Sequence, residues 1–178
     1  MAMKSTFGVL LLAMMLSAAA RAQTVQKAFV WDITESNNIK HGNIYLVFDT
    51  GEKRRITDSG NCSKPQIAPD QKTVGWREGQ FLDYRDEKPT PYWETSLAFF
   101  RDGKILKSLG PFESRSLIGQ WIFLQQGNQA ALRRYGMHGQ PAYELWDIPG
   151  QRSIASWQLY VDGEEQKPPV WIKGIEEP

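Results

Sequence analysis

Ser63-Lys64-Pro65-Gln66-Ile67-Ala68-Pro69-Asp70-Gln71-Lys72-Thr73-Val74-Gly75-Trp76 is the stretch that decides how this chain is built. It reads as a short strand, a tight turn, and a second short strand ending on tryptophan. Pro69 suits the second position of a type I turn, because its ring fixes φ near the required value. Asp70 is tolerated at the next position, where its side chain can hydrogen-bond the local backbone. Thr73 and Val74 are β-branched and restart an extended run.

Working outward, the same plan recurs. Beyond residue 22 the chain shows no amphipathic helical period. Its apolar residues come in short runs bounded by Gly, Pro, Asp and Asn, the pattern of strands and turns. Strands are expected over 28–31, 44–48, 53–57, 97–100, 105–109, 118–124, 130–134, 143–146 and 153–157. Residues 32–43 read as a polar loop and 78–95 as the longest irregular segment. Val170-Trp171-Ile172, after Pro168-Pro169, reads as a closing strand.

Three hairpins share one design. In the first, Tyr45-Leu46-Val47-Phe48-Asp49 is followed by Gly51 and Arg55-Ile56. In the second, Leu97-Ala98-Phe99-Phe100 is followed by Asp102-Gly103-Lys104-Ile105. In the third, Tyr143-Glu144-Leu145-Trp146-Asp147 is followed by Gly150 and Ser153-Ile154. The opening hairpin also has a counterpart over 121–132, in which Gln71 aligns with Gly127. A left-handed residue costs a non-glycine roughly 1 kcal/mol, which makes Gln71 a point of mild strain. Trp31 and Trp76 are 45 residues apart, and Tyr45, Leu97 and Tyr143 are 52 and 46 apart. A period of about 50 residues carrying four strands is that of a β-propeller blade.

The expected fold class is therefore all-β, with antiparallel sheets from repeated four-stranded blade-like units. The units count to about three: a partial one over 28–57 and full ones over 63–109 and 117–157. Three arrangements follow: an open arc, a half-propeller completed by a second copy, or a compact barrel or sandwich. Exposed terminal strands invite aggregation, so some closing device is expected.

Residues 56–60 with 63–76 resemble the WD40-like repeat of the TolB and tricorn type. That repeat has a threonine-ending strand, a polar loop, a Pro-containing strand, a Ser-Pro-Asp-Gly-Lys turn and an apolar strand. This chain carries Ala68 in place of the serine and Gln71 in place of the glycine. Tyr143-Glu144-Leu145-Trp146-Asp147-Ile148-Pro149-Gly150 is similar to the third strand and turn of a WD40 blade. The resemblance covers about two thirds of the chain after residue 22. It implies a propeller-like architecture and says almost nothing of activity.

The N-terminus reads as an export signal. Lys4 precedes an apolar run over 7–16, and Ala20-Arg21-Ala22 is an A-x-A site, placing cleavage before Gln23. The run is shorter than the roughly 20 residues of a membrane span, so the expected location is periplasmic or extracellular. The cysteine count gives no lipid-anchor site there, because Cys62 is the one cysteine. It reads as a small buried loop residue rather than a disulfide partner. Without Lys4 and Arg21 the chain has 19 basic against 20 acidic residues. That balance does not point to nucleic acid. His41 and His138 are far apart, with no recognisable metal-ligand spacing, and no cofactor is expected.

Catalytic motifs are not evident: there is no G-x-S-x-G and no phosphate loop. Asp49, Asp102 and Asp147 recur near hairpin turns, which suits a turn role. Trp31, Trp76, Trp121 and Trp146 lie within strands and are expected in the core. Tyr84, Arg85, Tyr92, Trp93 and Glu94 fall in the segment that breaks the repeat, and long loops on a rigid scaffold concentrate binding residues. They form the candidate binding site, with the loop 59–64 beside them. The expected function is a non-enzymatic exported binding or scaffold module engaging a protein, with a homodimer as one form. The alternative is a small-ligand module stacking carbohydrate on Trp93 and Tyr92. A hydrolase using Asp83 or Asp86 with Glu94 is the third class, and it needs a close carboxylate pair.

Overall fold

A computed structural model describes residues 23–81, 90–110, 116–136 and 140–175, so the expected signal over 1–22 lies outside the described residues. The first sheet is made by β1 (Val25–Ser36), β2 (Ile39–Phe48) and β3 (Lys53–Arg55), with β2 in the middle. β1 and β2 are joined by Asn37-Asn38, with φ of 51° and 60°. Positive φ at both central residues gives the tight turn whose twist matches that of the strands. Residues 32–43, expected as a polar loop, are therefore strand on both sides of a two-residue turn, with a bulge between Trp31 and Thr34.

The second sheet is β4 (Cys62–Ile67), β5 (Val74–Phe81), β6 (Tyr92–Arg101) and β7 (Lys104–Leu109), side by side in chain order. A single residue pair, Gly42 with Cys62, links it to β2. The third is β8 (Leu117–Leu124), β9 (Gln129–Tyr135), β10 (Ala142–Asp147) and β11 (Arg152–Gln158), again in chain order. A small hairpin of β12 (Tyr160–Val161) and β13 (Glu164–Glu165) follows. Every pairing is antiparallel. The all-β reading and its division into one partial and two full four-stranded units hold.

The sheets stack face to face, and each interface is a core. Val25, Ile44, Leu46 and Phe48 of the first sheet meet Cys62, Val74, Trp76, Ala98 and Phe100 of the second. On the other face of the second sheet, Leu97, Phe99 and Leu109 meet Ile118, Trp121, Ala130 and Leu132 of the third. Alternation along β6 serves both interfaces: Ala98 and Phe100 point one way, Leu97 and Phe99 the other. β6 is buried from Glu94 to Phe100 accordingly.

The ends of the stack differ. The far face of the third sheet, carrying Ala131, Tyr143 and Leu145, is covered by Trp171, Ile172 and Ile175. Val170–Ile172 is a 3-10 turn, not the closing strand expected. Pro169 has no N–H for a strand ladder, and its carbonyl instead accepts from the Ile172 N–H at 3.1 Å. The closing device thus covers a face rather than an edge.

The far face of the first sheet is open. Ala28 and Val30 pack on the core, so Phe29 and Trp31 point away from it. Trp31 is 53% exposed, against the expectation of a core residue, whereas Trp76 and Trp121 are buried as expected and Trp146 is half-buried.

The 68–73 turn anchors neighbours on both sides. Asp70 Oδ1 accepts from the Lys72 and Thr73 N–H groups, both at 2.9 Å, and its Oδ2 from the Thr73 hydroxyl at 2.7 Å. Gln71 is left-handed, with φ 55°, and so is its counterpart Gly127, with φ 96°. The Gln71 carbonyl accepts from the Val25 N–H at 2.7 Å, which ties the first sheet to the second.

Candidate functional site

Of the expected binding residues, Tyr84 and Arg85 lie outside the described residues, as do Asp83 and Asp86. Tyr92, Trp93 and Glu94 are not in a loop: β5 runs on to Phe81 and β6 starts at Tyr92, with Phe81 opposite Tyr92 and Gln80 opposite Trp93. Tyr92 and Glu94 are buried and Trp93 is half-buried.

Tyr92 works as a rivet. Its ring stacks on His41 of β2, with centroids 4.2 Å apart and planes 12° apart, while Phe81 meets both rings edge-on. Its hydroxyl donates to the Asn61 carbonyl at 2.7 Å, and its own carbonyl accepts from the Asn37 side chain at 3.3 Å. His41 Nδ1 donates to the Gly60 carbonyl at 2.8 Å. One residue therefore joins β2 and the loop 59–61 through its side chain and the β1–β2 turn through its carbonyl. Burial pushes its phenol well above the usual tyrosine value.

Glu94 lies two residues on, pointing the same way. Its carboxylate accepts from Ser63, from Lys64 at 3.0 Å and from Arg77. Burial works to raise its pKa. The Arg77 charge and the hydrogen bonds from Ser63, Arg77 and Lys64 outweigh that, holding the carboxyl below its ordinary value. Arg77 also donates to the Gly119 carbonyl of β8. The ion pair lies within the second sheet, and Arg77 alone carries it on to the third. Next to it an open cavity of about 390 Å³ is lined by Gln66, Arg77, Gln120, Trp121, Ile122 and Gly174. With its lone pairs committed to three donors, Glu94 ties β4, β5 and β6 of the second sheet together. Among the described residues no group of three His, Cys, Asp or Glu side chains is placed to hold a metal. Cys62 starts β4 rather than lying in a loop; it is buried, and burial pushes its thiol pKa up.

The accessible feature is the outer face of the first sheet. Phe29 is paired with Tyr45 across β1 and β2, their rings stacked at 6.0 Å and 18°, and Trp31 meets Phe29 edge-on at 6.1 Å. The Lys53 amine, on β3, stands 5.1, 4.5 and 5.0 Å from the centroids of Phe29, Trp31 and Tyr45. At such distances a cation is held by the ring quadrupoles. Lys27 and Arg55 share this face, opposite Val47 and Tyr45. Of these cations Arg55 is ion-paired with Asp58 at 3.0 Å, and three aromatic rings form the centre of the face.

No family model matches this chain, and no curated protein matches it. Among solved structures it is similar to the β-propeller domain of the Trilobed protease from Pyrococcus furiosus, described as having an open velcro topology. The identity is 11%, the TM-score 0.46, and the match covers 78% of this chain and 43% of that one.

Sequence reasoning missed the aromatic face because it took Trp31 as core and set strand 28–31 apart from its neighbour. The signal was present in the alternation of Lys27, Phe29 and Trp31 with Ala28 and Val30. Small and branched residues occupy the face that packs on another sheet, and the large rings occupy the other.

Proposed function

We propose that this is an exported, non-enzymatic binding or scaffold protein, propeller-like and of the WD40-like TolB type, that engages a protein partner through the outer face of its first sheet. The observation that carries this reading is the Phe29–Trp31–Tyr45 cluster, with Trp31 exposed and Phe29 and Tyr45 half-buried under Lys53, at one end of a stack whose other end is covered. Exposed tryptophan and its neighbouring aromatic rings are typical interface anchors. Charge complementarity selects the partner: an apolar surface bearing carboxylates, which meet Lys27 and Lys53.

The test uses the mature full-length chain as bait in periplasmic extract, beside Trp31→Glu and Lys53→Glu variants. A protein retained by the wild type is purified and titrated back. The reading predicts saturable binding that weakens at least tenfold in either variant and falls with added salt, since rim charges are screened. Equal affinity for all three chains overturns the assignment of this face.

A further inference from the structure

Cleavage after Ala22, as export requires, makes Gln23 the first residue of the chain. The fold pins this end to the β2–β3 turn. The Thr24 carbonyl accepts from the Asp49 N–H at 2.9 Å, and the Thr24 hydroxyl donates to the Asp49 carboxylate at 3.0 Å. One residue on, the Val25 N–H donates to the Gln71 carbonyl at 2.7 Å. Gln23 stands just before these anchors and is half-buried. Beside it lies a cavity of about 200 Å³ whose wall includes Gln23, Phe48, Arg54 and Lys72.

The side-chain amide of Gln23 is held at both of its polar atoms. Its Oε1 accepts from Arg54 Nη2 at 3.4 Å, and its Nε2 donates to Glu52 Oε2 at 3.2 Å. The two holding groups are themselves fixed. Arg54 donates through Nε and Nη2 to the other oxygen of Glu52, at 2.9 and 2.8 Å, and its guanidinium lies 4.8 Å from the centroid of the Phe48 ring. Such a charge-assisted fork is geometrically specific. A cation at the amide oxygen stabilises negative charge that develops there. A carboxylate at the amide nitrogen is placed to exchange a proton with it. The hydrogen bonds from Arg54 and Gln23 hold the Glu52 carboxyl below its ordinary pKa, in its proton-accepting form.

We propose that Gln23 is a self-modification site: its freed α-amine closes on its own side-chain amide to give an N-terminal pyroglutamyl ring, with Arg54 and Glu52 as the catalytic pair. The amine nitrogen adds to Cδ, and the carbonyl electron pair moves on to Oε1, which faces Arg54. Glu52 takes the proton from the attacking nitrogen and delivers it to Nε2. The Cδ–Nε2 bond then breaks with its electron pair on nitrogen, and ammonia leaves. Nothing is oxidised or reduced, and no co-reactant is consumed. Amine and amide belong to one residue, so the step is intramolecular, and the fold adds positioned charges. The product has no terminal ammonium for an aminopeptidase to grip, and it retains the carbonyl that Arg54 faces. The inference rests on the reading of this protein as exported, because cleavage before Gln23 frees the amine.

The experiment releases a chain starting at Gln23 from an N-terminal fusion with a protease and follows the loss of one ammonia by intact mass at neutral pH. The references are a synthetic peptide of residues 23–31 and folded chains carrying Arg54→Leu or Glu52→Gln. The folded wild type is expected to cyclise at least tenfold faster than the peptide. Each variant should slow to the peptide's rate while keeping the wild-type circular dichroism. Should Arg54→Leu lose the folded spectrum, Arg54→Lys replaces it, because it keeps the charge without the forked contact. Equal rates in the folded chain and the peptide overturn the inference, and so do folded variants that cyclise as fast as the wild type. Protein purified from the periplasm separates the two readings. A chain blocked at residue 23 supports both. A chain with a free Gln23 amine overturns the modification alone, and a chain that keeps residues 1–22 overturns the export reading.

Discussion

The phenol of Tyr92 lies across the backbone of Gly79: a Cβ placed there would stand 2.2 Å from the ring's Cζ and 2.4 Å from its hydroxyl oxygen. The ring has nowhere to retreat, held on its other side by His41 and at its tip by the Asn61 carbonyl. Gly79→Ala is expected to cost about 2–3 kcal/mol by overpacking. Tyr92→Phe keeps the ring but leaves a carbonyl short of its donor and costs about 1 kcal/mol. Urea denaturation measures both. Combined with Tyr92→Leu, the Gly79→Ala substitution loses much of its effect, because the atoms it strikes are gone; full additivity would contradict the contact.

Trp31 and Trp76 occupy corresponding places in the repeat and have opposite fates. Trp76 is fully buried between sheets, whereas Trp31 is 53% exposed. Trp76→Ala is expected to cost about 3–5 kcal/mol, and Trp31→Ala to stay within about 0.5 kcal/mol. Thermal unfolding of the two variants decides it. A loss above about 2 kcal/mol in Trp31→Ala would show that its ring supports the fold. The pair also marks how far the sequence could be read. Period and turn chemistry placed the three sheets, because each hairpin repeats the same local code. They did not say which sheet would be terminal, since the repeat length and the turn residues are the same whether or not a neighbour covers a sheet's second face. Nor did they place Tyr92 and Glu94 in β6. The charges and prolines between Phe81 and Tyr92 read as a loop through to Thr95, while the register that extends both strands is set by contacts to β2 and β4, distant in sequence.

The Glu94 carboxylate should make stability depend on acid. Its side chain is 6% exposed and that of Arg77 13%. Its folded pKa lies below its ordinary value of 4.5. The unfolded chain therefore takes up the proton first on acidification. The contribution is present in full above pH 4.5, and it is lost as pH falls through the lower folded value. Urea midpoints measured from pH 7 down to pH 3 should show the wild type falling over the acid end of that range. Glu94→Gln leaves Arg77 without its counter-charge. It should be less stable at pH 7 by about 3 kcal/mol and should fall less steeply in acid. Parallel curves for the two chains would remove Glu94 from the acid response.

Cys62 gives a probe of the first interface. Its thiol is buried between the first two sheets, and burial raises its pKa, which keeps it in the unreactive thiol form. Labelling with an aromatic disulfide reagent at pH 8 should be slow in the folded chain and complete within seconds in 6 M guanidinium. In the folded chain the rate should follow separation of the two sheets, so Leu46→Ala, which loosens the same cluster, should speed it at least tenfold. Prompt labelling of the native protein would show that the interface opens without unfolding.

Gln71 and Gly127 are both left-handed, yet they are not interchangeable. Gln71 is exposed, so Gln71→Gly removes a strain of roughly 1 kcal/mol while freeing the unfolded chain by nearly as much; stability should change by less than about 0.5 kcal/mol. Gly127 is buried, and a Cβ there would lie 2.7 Å from the Cβ of Ala68 and 3.1 Å from Asp70 Oδ2. Gly127→Ala adds that crowding to the left-handed penalty and should cost about 2–3 kcal/mol. Here the Ala68 position, which carries serine in the repeat this stretch resembles, is the wall that Gly127 packs on. Ala68→Gly in the Gly127→Ala background should therefore recover part of the loss even though Ala68→Gly alone destabilises. Denaturation of the two single variants and the double variant completes the cycle, and a double-variant loss equal to the sum of the singles would place the two turns out of contact.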